Sequence, residues 1–137
     1  MGRHALKHVY LLDSVILIDV LRGIPGAVSW AKKLHPGEAA ISVITRAEVL
    51  SGGPDEEQDA AQTLCDQFDC LPLDADAADQ AARLRLARRW KLPDAIQAAL
   101  AQRNGLRLAT RNTKDFDPSR DAFVFIPYRV ALTQAEE

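Results

Sequence analysis

Two cysteines and three histidines in 137 residues leave little material for soft-metal chemistry. Cys65 and Cys70 have no second Cys or His pair at the spacing of a structural zinc site, so both read as plain buried or half-buried thiols. His4 and His8 stand in or before a strand-like run, where they would not converge on one ion, and read as solvated. Long apolar runs are also missing. Ala39 to Ile44, with Ser42 inside it, falls far short of the roughly 20 residues a bilayer-crossing helix needs. The first ten residues lack an apolar signal core and a small-residue cleavage site. The expectation is a cytoplasmic protein with no membrane segment, no repeat and no low-complexity stretch.

What is present is an ordinary globular composition, 47% hydrophobic and 26% charged, in a length that suits one domain over 1–137. The net charge of -2 conceals a polarised chain. Asp55 to Asp79 holds nine acids and no base, whereas Gln80 to Arg120 holds ten bases and three acids, a local +7. One phosphate-facing side would produce this asymmetry, and so would solvated helix faces.

The hydrophobic pattern alternates short apolar runs with helical segments. His8 to Leu12 reads as a strand; Asp13-Ser14 then offers side-chain oxygens to cap a helix that Gly23 closes. Pro25 to Leu34 reads as a helix, Ala39 to Val43 as a buried strand, and Ile44 to Ser51 as a helix stopped by Gly52-Gly53-Pro54. Asp55 to Phe68 is helical by composition, Cys70 to Leu73 a short strand, and Asp74 to Trp90 a long alanine-rich helix. Pro93 suits the first turn of a helix that ends at Asn104-Gly105; Leu106 to Thr110 and Phe123 to Ile126 complete the strands. Strands alternating with helices predict an α/β three-layer sandwich with a parallel central sheet. Ligands in such sheets bind beyond the carboxyl ends of the strands, where strand order reverses.

Four acids fall at that predicted rim. Asp13 follows the first strand, Glu48 lies one turn into the helix after the second, Asp94 opens the Leu92-Pro93-Asp94 helix, and Asp115 follows the strand Leu106 to Thr110 after a short turn. Each has a local explanation: Asp13 as an N-cap, Thr45-x-x-Glu48 as a capping box, Asp94 as a complement to the helix dipole, Asp115 as a loop acid. None of these explains why four elements bring an acid to one sheet edge. Clustered carboxylates repel unless cations neutralise them, and oxygen donors with few histidines select Mg²⁺ or Mn²⁺. Such ions suit phosphate-ester hydrolysis. A haloacid-dehalogenase-like phosphatase would need a second Asp where Val15 stands, and a receiver domain would need an acidic pair on its first strand.

Leu12 to Asp19 (LDSVILID), Ser42 to Gly52 (SVITRAEVLSG), Leu92 to Leu100 (LPDAIQAAL) and, after Gly105-Leu106, Thr110 to Phe116 (TRNTKDF) resemble in order the motifs of the PIN-domain family, and within it the VapC toxins. The resemblance spans about residues 8–129. It implies a Mg²⁺-dependent endoribonuclease in which Mn²⁺ substitutes, a homodimer, and a toxin silenced by a VapB-like antitoxin. By position, Asp13, Glu48, Asp94 and Asp115 take the catalytic and metal-binding places, with Ser14, Thr110 and Asn112 in support. Ser14 stands where Thr is frequent; Asp117 competes with Asp115 for the fourth acid; Asp19, on another helical face, ranks as a peripheral acid.

The basic segment then gains a use. Arg85, Arg88 and Arg89 lie at i, i+3 and i+4 on one helix side, with Leu84, Leu86 and Trp90 as the packed side, and Arg111 and Lys114 flank the fourth acid. These five cations are the candidate RNA-phosphate contacts. An antitoxin arginine entering the acidic pocket would neutralise it as a metal would. The rival reading is a catalytically silent PIN module that binds RNA or a protein; retention of four mutually repelling acids favours the enzyme. A DNA-flap nuclease would need extra acids and insertions for which the chain has no room.

Overall fold

Asp13 ends one element and starts the next. Its backbone is extended (φ -69°, ψ 155°), and its side chain accepts the Ser14 N–H at 2.8 Å, capping a helix that begins at once. The computed structural model describes residues 8–130, so His4 lies outside the described residues. In chain order the strands are β1 (Tyr10–Leu12), β2 (Ala39–Ser42), β3 (Asp69–Leu71), β4 (Arg107–Ala109) and β5 (Val124–Phe125). The helices are α1 (Ser14–Leu21), α2 (Pro25–Lys32), α3 (Val43–Ser51), α4 (Gln58–Cys65), α5 (Ala75–Arg88) and α6 (Leu92–Arg103), with a 3-10 turn at Asp55–Glu57.

All strand pairs are parallel, in the order β3-β2-β1-β4-β5. Alternate residues serve opposite faces, as the pleat requires. Leu11, Ala40 and Leu108 pack with α5 and α6 residues such as Ala77, Ala81 and Ala98, whereas Leu12, Ile41 and Ala109 pack with Ile16, Leu17, Val49, Ala61 and Cys65. The expected three-layer α/β sandwich is therefore present. Helix α6 is buried from Ala95 through Ala101, which explains its run of small residues. No single helix among the described residues is long and apolar enough to cross a membrane.

The chain crosses from β1 to β2 and β3 on one side, then returns to β4 on the other, so strand order reverses between β1 and β4. Leu12 is level with Ala109 in this pair, and the Asp13 N–H donates to the Ala109 carbonyl at 2.9 Å. The two chain segments leaving the switch point are thereby locked side by side.

Several local expectations are corrected. The α3 cap is Ser42, whose Oγ accepts the Thr45 N–H at 3.0 Å; Thr45 itself is buried inside the helix, so no Thr45–Glu48 capping box exists. His8 is not simply solvated: its Nε2 meets Asp69 Oδ2 at 2.8 Å. Cys65 is buried but Cys70 is exposed. Leu86, expected on the packed side of α5, is 82% exposed. Asp19 faces inward and is 1% exposed, because one turn and a half of α1 rotates it toward Arg111 and Tyr128.

Candidate metal centre

The pocket at the switch point holds about 640 Å³ and is lined by Asp13, Ser14, Glu48, Asp94, Gln97, Arg111, Asn112 and Lys114 among others. Asp13 forms its floor at 7% exposure. Thr110 Oγ donates to its Oδ2 at 2.7 Å, and Ser14 N–H and the Gln97 amide (3.4 Å) reach its Oδ1. Ser14 thus contributes its backbone N–H to Asp13. Burial pushes the Asp13 carboxyl above its ordinary value, against those hydrogen bonds, and the Asp115 charge adds to the rise.

Gln97 is the organising residue that the sequence reading left without a role. It is 1% exposed, accepts from Ser42 Oγ at 2.7 Å, and donates to Thr45 Oγ and to Asp13. Thr45 in turn donates to the Leu12 carbonyl at 3.2 Å. The amide ties α6, α3 and the end of β1 into one network, fully satisfied and therefore rigid. The available signal was a polar residue one turn after Asp94 inside an alanine-rich run.

Asp94, in the first turn of α6, and Asp115, in the loop after β4, are both half-buried. Asn112 holds Asp115 through Nδ2 to Oδ2 at 3.0 Å, while its own N–H donates to Thr110 Oγ at 3.0 Å. Burial, the charges of Asp13 and Asp115, and a hydrogen bond with Asp115 push Asp94 up to about 7, Lys91 opposing. The structure therefore brings Asp13, Asp94 and Asp115 together. Asp117 is exposed and turned to Ser119, which donates to it through N–H (2.9 Å) and Oγ (2.7 Å). Glu48 lines the same pocket and is exposed, and its charge is not among the causes acting on Asp13 or Asp94. Among the described residues no group of three or more acids, histidines or cysteines stands placed to hold a metal ion between them.

The candidate RNA-contacting cations divide. Arg111 is committed to Asp19, with Nη2 to Oδ1 at 3.0 Å and Nε to Oδ2, so it forms a wall of the pocket. Arg88 is not free to meet phosphate: it makes a two-pronged bond to buried Asp121 at 2.6 and 3.0 Å and lies over the Trp90 ring. Arg85, Arg89 and Lys114 are exposed.

Comparison with known proteins agrees with this architecture. Residues 10–118 match the PIN domain family. The chain is 28% identical over 118 residues to the tRNA(fMet)-specific endonuclease VapC of Shigella flexneri, covering 79% of this chain and 89% of that one. Among solved structures it is similar to a toxin-antitoxin complex from Klebsiella pneumoniae, with 36% identity, a TM-score of 0.79, and coverage of 88% and 99% of the two chains. It is also similar to FitAcB from Neisseria gonorrhoeae, with 26% identity, a TM-score of 0.70, and coverage of 89% and 100%. With its motifs in order, its parallel sheet reversing between β1 and β4, and its acids gathered at that reversal, this chain belongs to the PIN-domain family and is of the VapC toxin type.

Proposed function

We propose that the chain is a Mg²⁺-dependent endoribonuclease, the toxin of a toxin-antitoxin pair, with Asp13, Asp94 and Asp115 at the core of its metal site and Glu48 as a further carboxylate. The observation that carries this reading is the crowding at Asp94, raised to about 7 by burial and by two neighbouring acids. Buried acids elsewhere are supplied with an arginine: Asp19 with Arg111, and Asp121 with Arg88. Asp13, Asp94 and Asp115 enter none of the ion pairs found among the described residues.

The donor set is all oxygen, which fits a hard cation. Mg²⁺ commonly takes one or two carboxylates and keeps several waters, so an open group of acids suits it better than a closed cage. When bound, it supplies positive charge beside a phosphodiester and acidifies water. Gln97 and Thr110 fix the orientation of Asp13, Asn112 fixes Asp115, and exposed Lys114 at the rim meets phosphate. An RNA substrate and a homodimer are part of the proposal. So is a VapB-like antitoxin, on the model of the Klebsiella complex. The name of the Shigella relative makes initiator tRNA the first substrate to try.

The test is to incubate the purified chain with total cellular RNA, with and without Mg²⁺ or Mn²⁺, and to map the 5′ ends produced. Discrete new ends are expected only with the cation. Asp94→Asn forfeits several kcal/mol of transition-state stabilisation, about a thousandfold in rate. Undiminished cleavage in excess EDTA contradicts the proposal.

A further inference from the structure

The end of α5 and the turn into α6 carry positive charges that form no ion pair among the described residues. Arg88 is consumed by Asp121 and Trp90. Arg85, Arg89 and Lys91 are exposed and take part in none of the ion pairs among the described residues. Among the described residues the Arg85 side chain reaches only the Trp90 carbonyl, at 3.4 Å. With Leu86 and Trp90 these three cations line a shallow depression of about 530 Å³.

Arg89 is held there against its backbone preference. It stands at φ 59°, ψ 27°, the one non-glycine residue with positive φ among the described residues. A left-handed residue that ends a helix is usually glycine, since a Cβ is disfavoured in this conformation. Helix termination therefore gives no reason for an arginine side chain, and such outliers gather at functional surfaces.

The corner is also fixed relative to the acidic pocket. Trp90 Nε1 donates to the Asp115 carbonyl at 2.8 Å, and its ring packs on Phe116 at 5.1 Å between centroids. Lys91 is the residue that precedes α6, three before Asp94. A pocket of carboxylates repels the phosphates flanking a bound one, so a polyanion crossing it needs cations just outside.

We infer that this corner, Arg85, Arg89 and Lys91 around Leu86, is a phosphate-binding surface for single-stranded RNA, holding the backbone beside the phosphate that lies over the carboxylates. The inference rests on the nuclease reading above. Leu86 offers an apolar shelf on which a ribose or base can lie, and Trp90 anchors the shelf to the Asp115 loop.

The experiment measures binding of a labelled single-stranded oligoribonucleotide, as a function of salt, in proteins that all carry Asp94→Asn to stop cleavage. Arg85→Ala is combined with Arg89→Gly, because glycine accepts the left-handed backbone and the melting temperature should not fall. Arg83→Ala, an exposed arginine of α5 outside the corner, controls for loss of charge alone. The double variant should bind more weakly than this control. Its log-affinity against log-salt slope should be shallower by about 1.4, two phosphates at roughly 0.7 each for a single strand. An affinity and slope equal to those of the Arg83→Ala protein overturn the inference while leaving the nuclease reading intact. If the Asp94→Asn reference itself binds no RNA, the nuclease reading fails and this inference with it. If RNA binding is kept and sedimentation shows self-association lost, the corner joins two copies of the chain and the inference is wrong.

Discussion

Two buried aspartates lie six residues apart, and the fold treats them in opposite ways. Asp19, 1% exposed, receives both prongs of Arg111 and the Tyr128 hydroxyl at 2.7 Å. Burial and that acid raise the Tyr128 phenol well above its ordinary value, so it remains a donor. Asp13, 7% exposed, receives only neutral donors among the described residues, and Asp115 adds repulsion. A carboxylate whose counter-charge is built in belongs to the scaffold. One given neutral donors and acidic neighbours is arranged for a counter-charge that arrives from outside. Arg111 joins the two regions, since the residue that satisfies Asp19 also walls the pocket above Asp13.

The largest expected contrast is in stability. Asp19→Asn leaves Arg111 without its buried partner and should cost about 3 kcal/mol, whereas Tyr128→Phe, which removes one hydrogen bond, should cost about 1 kcal/mol. Asp94→Asn should cost nothing in metal-free buffer and should raise the melting temperature by relieving repulsion. Denaturant unfolding of the three variants checks the order. Equal destabilisation by Asp19→Asn and Asp94→Asn would erase the distinction between scaffold and site.

A smaller effect should appear with pH. Asp94 is raised from 3.8 to about 7 on folding, and Asp13 is raised as well. A carboxyl raised by folding contributes stability that is fully present below its unfolded value and is lost as pH climbs through the folded one. The metal-free protein should therefore lose melting temperature between about pH 4 and 7 relative to Asp94→Asn. Mg²⁺ should restore it at neutral pH by binding the ionised acids. Parallel melting profiles for the two proteins would show that Asp94 does not titrate in this range.

Much of this contrast was legible in the sequence, and the rest failed for identifiable reasons. The elements and the parallel sheet could be read because the central strands β1, β2 and β4 are short apolar runs bounded by a cap or a glycine, as at Leu12-Asp13-Ser14 and Asn104-Gly105. Strand and helix ends shifted by one to three residues; at α3, Ser42 prevailed over Thr45 as the cap because Thr45 is drawn inward to Leu12 and Gln97. Asp13 just after β1, Asp94 in the first turn of α6 and Asp115 in the loop after β4 were each expected at one sheet edge from their places along the chain. Arg88 was misjudged, and the pairing of Asp19 with Arg111 was missed, because helical spacing says which side chains share a face but not what meets that face; the partners lie 33 and 92 residues away. Gln97 was hidden for the same reason, since Ser42 and Thr45 reach it from another helix.

The account turns on whether the pocket of Asp13, Asp94 and Asp115 is a divalent-cation site, and calorimetric titration of Mn²⁺ into the purified chain at neutral pH tests this most directly. Saturable binding is expected, with protons released as Asp94 ionises, visible as a dependence of the heat on the buffer. Asp94→Asn should lose that binding, and Asp117→Asn, at an exposed turn, should keep it. Absence of saturable binding, or binding undiminished in Asp94→Asn, would contradict the account.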